Sequence, residues 1–303
     1  MRVLCEKLKE RDVPFRLNVC AKTLCTFRVG GTVALVIEPR CEGELHAALA
    51  CCRACRVPFE ILGNGSNVLF EDGALSLAVI RTKNLDQWRV TKEGILAGCG
   101  VKLAYLCRIA ASRGLDGLQA FCGIPGTLGG ALAMNAGAHG KQICERVKYV
   151  KILDLDTNEI ETDFNFQKNA LYRNCGYKGK KVLFLSAELQ LDAGADPERL
   201  HAELQRLNAQ RNASQPLEFP SAGCVFKRPK KDVPIGKFLD DLGCKGMREG
   251  DAEVSQKHAA FILNKGAASA DDVKKLMLEI QKKAEKERGI FLEKEIRIIP
   301  GNV

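Results

Sequence analysis

Tryptophan occurs once and tyrosine four times among the 303 residues. So few rings leave little on which bases could stack, which argues against a nucleic-acid binder even though the net charge is +9. No window approaches the run of apolar residues that a bilayer-spanning helix needs. The opening, MRVLCEKLKERDV, is charged throughout and lacks the apolar segment of a secretory leader. The expectation is a cytoplasmic protein with no membrane insertion. Cys52 and Cys55 form a C-x-x-C with no second such pair to complete a zinc site, so no metal is expected. Repeats and low-complexity segments are also lacking.

What is present fits a soluble protein with a sizeable core: 46% hydrophobic and 27% charged residues. Fourteen cysteines in a chain of this length, with no export signal, read as reduced and mostly buried thiols. Cys52 recurs with Leu45 and Leu49 at helical spacing and is expected on a packed helix face. The basic balance, densest at KRPKK over 227–231, suits anionic partners, and phosphorylated small molecules fit it better than nucleic acid.

Periodicity and punctuation predict extended structure over 15–38, broken at Gly30 and Gly31, then a helix over 42–56 and a strand over 59–62. Strands are expected over 75–82 and 88–97, and a helix over 102–113 stopped by Gly114. A hairpin over 147–155 and 159–164 precedes a strand over 182–191. Asp196 and Pro197 open a charged helix to about 211. A short helix over 236–242, strands at 253–254 and 258–263, and a capping box from Ser269 and Asp272 follow. The last helix ends at Gly289, and 291–299 reads as a final strand whose alternation puts Glu293 and Glu295 on one face.

Two stretches carry the chemistry. Residues 122–140 read CGIPGTLGGALAMNAGAHG, and residues 63–67 read GNGSN directly after a strand. Glycine lets backbone approach a ligand closely, and successive N–H groups can cradle an anion. The shorter loop is not a G-x-G-x-x-G opening a helix and lacks a P-loop lysine, which disfavours a Rossmann site and nucleotide hydrolysis. Read alone, either stretch is a phosphate cradle or a packing turn.

Together they resemble the two phosphate-contacting segments of flavoproteins of the vanillyl-alcohol-oxidase type. Six segments sharpen the likeness. They are TFRVGG from Thr26, GNGSN from Gly63, GIPGTLGG from Gly123, NAG from Asn135, YR at Tyr172, and SAGCVFK from Ser221. In this order they resemble the UDP-N-acetylenolpyruvoylglucosamine reductase family from about Val19 to Ile299.

The resemblance implies an α+β chain with a two-lobed FAD-binding domain of vanillyl-alcohol-oxidase/PCMH type. That domain would cover 1–192, with lobes of about 1–82 and 83–192. A C-terminal α+β substrate-binding domain would cover 193–303, its last strand returning to the active site. It also implies a monomeric, NADPH-dependent, FAD-mediated reductase of UDP-N-acetylglucosamine-enolpyruvate that makes UDP-N-acetylmuramate for peptidoglycan. In that ping-pong scheme NADPH reduces FAD, the enolpyruvyl C3 is then reduced, and a site acid protonates C2.

Carried over residue by residue, the resemblance assigns FAD contacts to Arg28, Gly63, Asn64, Gly65, Ser66, Asn67, Gly123, Ile124, Pro125, Gly126, Gly129, Gly130, Asn135 and Gly137. Substrate contacts fall to Tyr172, Lys227 and Arg228. Arg173 would be the active-site arginine, Glu295 the glutamate that supports the enol, and Cys224 the proton donor. Many members of the family have serine at the last position. A thiol is the stronger acid and is still mostly protonated at neutral pH, at the cost of some thiolate open to oxidation. Other departures are His139 in place of tyrosine, Gln119 where an acid is common, and Arg228 where some members have asparagine. The short connection 173–182 is similar to the subclass without a tyrosine-bearing substrate loop.

Overall fold

A computed structural model describes residues 1–177 and 180–299. The connection 173–182 therefore includes two residues outside the described ones.

The chain opens with α1 (Arg2–Glu10), which Leu4 and Leu8 anchor at helical spacing. Then come β1 (Phe15–Cys20), β2 (Thr32–Ile37), α2 (Glu42–Ala54), β3 (Phe59–Leu62), β4 (Val68–Phe70) and β5 (Ala74–Arg81). The first sheet has the order β1-β2-β5-β3, antiparallel at β1/β2 and parallel elsewhere. Helix α2 buries Leu45, Ala48, Leu49, Cys51 and Cys52 against Leu35, Ile37 and Ile80, so the C-x-x-C is core, as its spacing suggests. All fourteen cysteines are free thiols.

The second lobe contains β6 (Trp88–Val90), β7 (Gly94–Gly98), α3 (Leu103–Ser112), α4 (Leu128–Ala133), β8 (Gly137–Ala138), β9 (Lys141–Gln142), β10 (Val147–Asp154), β11 (Ile160–Asp163), α5 (Phe166–Asn169) and β12 (Val182–Gln190). Its sheet runs β11-β10-β12-β7-β6, antiparallel throughout. The single strand expected over 88–97 is a hairpin, with Trp88 opposite Ala97 and Val90 opposite Ile95. The reversal needs Gly94, at φ +149°, where a Cβ would lie 2.1 Å from the Leu189 carbonyl oxygen. Apolar Leu103, Leu106, Cys107 and Ala110 of α3 face the sheet.

Next come α6 (Pro197–Ser214), α7 (Ile235–Asp241), β13 (Arg248–Glu249), β14 (Ala252–Val254), β15 (Ile262–Asn264), α8 (Ala270–Arg288) and β16 (Arg297–Ile299). Asp196 caps α6 by accepting the Glu198 N–H at 3.0 Å. The domain boundary expected at 192 falls before a helix whose Leu200, Leu204 and Leu207 pack in the second lobe's core. The Ser269/Asp272 capping box forms in full, and Gly289 closes α8 in the left-handed conformation.

Two expected strands are shorter than their patterns. In 258–263 the ladder starts only at Ile262, with one isolated bridge at Phe261, because the Ser255 hydroxyl ties the N–H groups of Lys257 and His258 into a turn. In 291–299 only Arg297–Ile299 forms a ladder, in parallel with β4. Residues 291–296 have one isolated bridge, Lys294 to Phe226.

Candidate active site

The two glycine-rich stretches meet. Residues 63–67 leave the end of β3, and Asn64 Nδ2 donates to the Pro125 carbonyl at 2.6 Å. A Cβ on Gly63 would sit 2.5 Å from Thr127 Oγ1, and one on Gly65, at φ +66°, 2.2 Å from the Leu24 carbonyl oxygen. These two glycines are required by the protein's own packing. Gly126 and Gly130 are different: an added Cβ would meet nothing nearer than 3.7 Å, Ser66 Oγ being among the neighbours of Gly126. Among the described residues, no protein acceptor takes the backbone N–H of Asn64, Gly65, Ser66 or Asn67. Four free donors beside two uncrowded glycines form a cradle suited to a diphosphate, so these residues fit FAD.

The other expected cofactor residues stand behind this surface. Gly129 packs on Cys99, with a Cβ position 2.8 Å from the cysteine Cβ, and a Cβ on Gly137 would lie 3.0 Å from the Lys141 carbonyl oxygen. Ile124 packs against the second lobe's core. The carbonyl of Arg28, whose φ is +54°, accepts from Asn264 Nδ2 at 3.1 Å. Asn135 is buried and spends its whole side chain inside the protein. Its Nδ2 donates to Gln142 Oε1 and to the Leu171 carbonyl, both at 3.0 Å, and its Oδ1 accepts the Cys144 N–H at 3.2 Å.

That tie at Leu171 holds up a tight turn, bridged from Leu171 to Asn174, which presents Tyr172 and Arg173. Arg173 Nη1 lies 3.6 Å from the Cβ position of Gly137, so the turn abuts the glycine stretch. Cys224 is bridged to Phe261, and the next residue, Val225, accepts the Glu295 N–H at 2.8 Å. Glu295 Oε1 in turn lies 2.6 Å from Arg173 Nε. The Nε–H points off this line and has no hydrogen-bond partner, so the contact is a charge pair rather than an aligned bond. Three residues far apart in sequence thus share one place.

The two glutamates of the last segment diverge, because 291–296 lacks the strand geometry that would align them. Glu293 is 67% exposed and pairs with Lys227, whereas the Glu295 side chain is 10% exposed. Tyr172 lies between two guanidinium groups, 4.0 Å from Arg228 and 5.2 Å from Arg173, and its oxygen accepts the Arg228 N–H at 3.4 Å.

Burial dominates the protonation of this cluster. It pushes the Cys224 thiol up to about 12, with the negative charge of Glu295 adding to the shift and Arg173 and Arg211 opposing it. Glu295 is raised as well, again by burial first, against the pull of Arg173 and Lys227. The thiolate fraction expected from a free cysteine is therefore removed, and the oxidation cost with it.

The departures at His139 and Gln119 lie together. His139, at φ +49° and exposed, tips the β8–β9 hairpin and borders a groove of about 380 Å³ with Gln119, Arg199 and Glu203. Gln119 is buried and accepts the Gly117 N–H at 3.0 Å, a purely internal use. Sequence reasoning missed Arg211, whose side chain lies across Gly123. Its only sequence signal is a basic residue in the last turn of a charged helix.

Comparison with known proteins bears on this arrangement. Residues 215–299 match the family model described as UDP-N-acetylenolpyruvoylglucosamine reductase, C-terminal domain, and residues 33–163 match an FAD binding domain. A UDP-N-acetylenolpyruvoylglucosamine reductase from Synechococcus is 41% identical over 91% of this chain and 88% of its own length. One from Caldicellulosiruptor bescii is 38% identical over 96% and 93%. The crystal structure of the Thermus caldophilus reductase superposes with a TM-score of 0.76 at 29% identity, covering 95% of this chain and 99% of that one. A berberine bridge enzyme superposes at 0.51 over 65% of this chain and 44% of its own, at 13% identity, a likeness of fold alone.

Proposed function

The chain belongs to the UDP-N-acetylenolpyruvoylglucosamine reductase family, and we propose that Arg173, Cys224 and Glu295 carry its reaction. The activity is reduction of the enolpyruvyl group of UDP-N-acetylglucosamine-enolpyruvate to the lactyl ether of UDP-N-acetylmuramate, in peptidoglycan synthesis. FAD, when bound, supplies a two-electron carrier that separates oxidation of the donor from reduction of the substrate. The observation that carries the residue assignment is the meeting of a protonated, half-buried thiol with the Arg173–Glu295 pair beside the glycine cradle.

Reduction at C3 puts negative charge on C2 and, by conjugation, on the carboxylate. Cys224 holds the proton that C2 needs, because burial keeps it a thiol across the working pH range. Arg173 is oriented by Glu295 and offers the positive charge for the developing enediolate. Glu295, itself raised by burial, can share a proton with the enol oxygen. Backbone N–H groups of residues 63–67, with Gly126 and Gly130, would hold the cofactor diphosphate. Tyr172, Lys227 and Arg228 line the approach for the UDP-sugar. NADPH as donor, a monomeric state and a cytoplasmic location complete the reading. No described helix is long and apolar enough to cross a membrane.

The test is anaerobic. Purified protein should carry flavin absorbance that bleaches under NADPH and recovers only when the enolpyruvyl sugar is added. Folded protein that stays colourless with added FAD, or bleached protein that ignores the enolpyruvyl sugar, would refute the assignment.

A further inference from the structure

Arg211 is a basic residue of this site that, among the described residues, has no carboxylate partner and no aromatic ring beneath it, unlike Arg228, which stacks on Tyr172. It sits in the last turn of α6, and its side chain lies across Gly123. A Cβ on that glycine would be 2.4 Å from Arg211 Cδ and 3.2 Å from Nε. Arg173 has Glu295 and Lys227 has Glu293, but among the described residues no carboxylate comes within ion-pair distance of Arg211. Burial pulls its pKa down, and the thiols of Cys224 and Cys122 pull the other way, so the guanidinium over Gly123 is within electrostatic reach of the acid. A half-buried guanidinium without a partner is unfavourable, and removing it from a site with no anion should not weaken the fold.

On the reading of the site given above, we propose that Arg211 is a further substrate-binding residue that receives the enolpyruvyl carboxylate. Chemistry selects this anion over the others. The cofactor diphosphate has the free N–H groups of residues 63–67, and the sugar diphosphate has Lys227 and Arg228. The proton of Cys224 goes to C2, and the carboxylate is bonded to C2. A cation within electrostatic reach of the thiol, on the loop at Gly123, is therefore within reach of the carboxylate. Arg211 then meets a charge already present in the ground state and one that grows as C3 is reduced, whereas Arg173 remains partly neutralised by Glu295.

The experiment compares two ligands on oxidised holoenzyme by calorimetry: the product UDP-N-acetylmuramate, which carries the carboxylate, and UDP-N-acetylglucosamine, which lacks it. Arg211→Gln should weaken the product at least about tenfold and change UDP-N-acetylglucosamine by less than about twofold. Arg211→Lys, which keeps the charge but loses the fork, should fall between wild type and Arg211→Gln for the product only. The same Gln variant should slow reoxidation of pre-reduced flavin by substrate at least about tenfold and leave reduction by NADPH within about threefold. Its substrate-free melting temperature should not fall. Equal weakening of both ligands, no weakening of either, or loss of FAD itself would overturn the assignment. Should Arg211→Gln not fold, a Lys variant that binds product as wild type does would overturn it too. Wild-type holoenzyme that the enolpyruvyl sugar fails to reoxidise would instead sink the underlying activity, a result distinguishable from any of these.

Discussion

The protonation of Cys224 can be tested without turnover. Burial and Glu295 raise its pKa from the ordinary 9.0 to about 12. At pH 8 that lowers the thiolate fraction from about one in ten to about one in ten thousand, roughly a thousandfold. A thiolate of higher pKa is intrinsically more nucleophilic and recovers about 20- to 30-fold. Alkylation by iodoacetamide should therefore be slowed about 30- to 50-fold before any loss of access is counted. The assay is mass-spectrometric labelling kinetics on the Cys224 peptide, with exposed Cys20 and Cys41 as internal references. Access lowers a rate equally at every pH, so the slope isolates the charge effect. Log rate should climb by about one unit per pH unit from 7 to 10, with no bend near 9. Glu295→Gln removes a negative charge, lowers the thiol pKa and speeds labelling. A bend near 9, or labelling of Cys224 at the rate of Cys20, would show that the thiol is not held protonated. If it is held, Cys224→Ser keeps much of the activity, and Cys224→Ala loses about 10²- to 10⁴-fold in flavin reoxidation while reduction by NADPH survives.

The glycines of the cradle should separate by stability and cofactor affinity. Gly130→Ala should leave the melting temperature of apoprotein near wild type and weaken FAD, read by fluorescence titration, because its Cβ meets no protein atom nearer than Thr127 Oγ1, at an ordinary contact of 3.7 Å. Gly65→Ala, forced against the Leu24 carbonyl at positive φ, should cost about 2 kcal/mol or more in denaturant unfolding. Asn135→Ala strands the Cys144 N–H and frees the Arg173 turn. Expected are a loss of about 2–3 kcal/mol in stability and slower reoxidation than reduction of the flavin, while equal slowing of both would argue for a structural role only.

Much of this was legible in the order of residues. The strand Phe59–Leu62 running into GNGSN, the capping box at Ser269 and the apolar face of α3 are local signals, and local physics decides them. The flavin fold was legible through the resemblance rather than through periodicity, and the resemblance also nominated the three residues that the fold brings together. The misread segments are those where neighbours outrank pattern. Alternation over FLEKEI promised a strand, but a strand needs a partner along its length, and the fold offers one only from Arg297. The span 88–97 had the composition of one strand and the turn of two, with Gly94 as the missed mark. Helix α1 has only two buried apolar anchors at helical spacing, Leu4 and Leu8, in a largely charged segment. Arg211 could not be found in the sequence, since its lack of a counter-ion exists only after α6 is laid against the loop at Gly123.

The parallel pairing of β16 with β4 also bears on how the protein is made. Strand β4 follows the cradle directly, and Asn67 bonds both ways with the last segment, its amide to the Glu295 carbonyl and its own carbonyl to the Arg297 N–H. An early ribosomal product thus contains the whole cradle sequence but not the strand that props it. Closing so long a loop is entropically costly and late, and ladders of high contact order assemble slowly. Cofactor capture then becomes a checkpoint on completed synthesis: a chain cut short of Arg297 should emerge colourless even with every glycine in place.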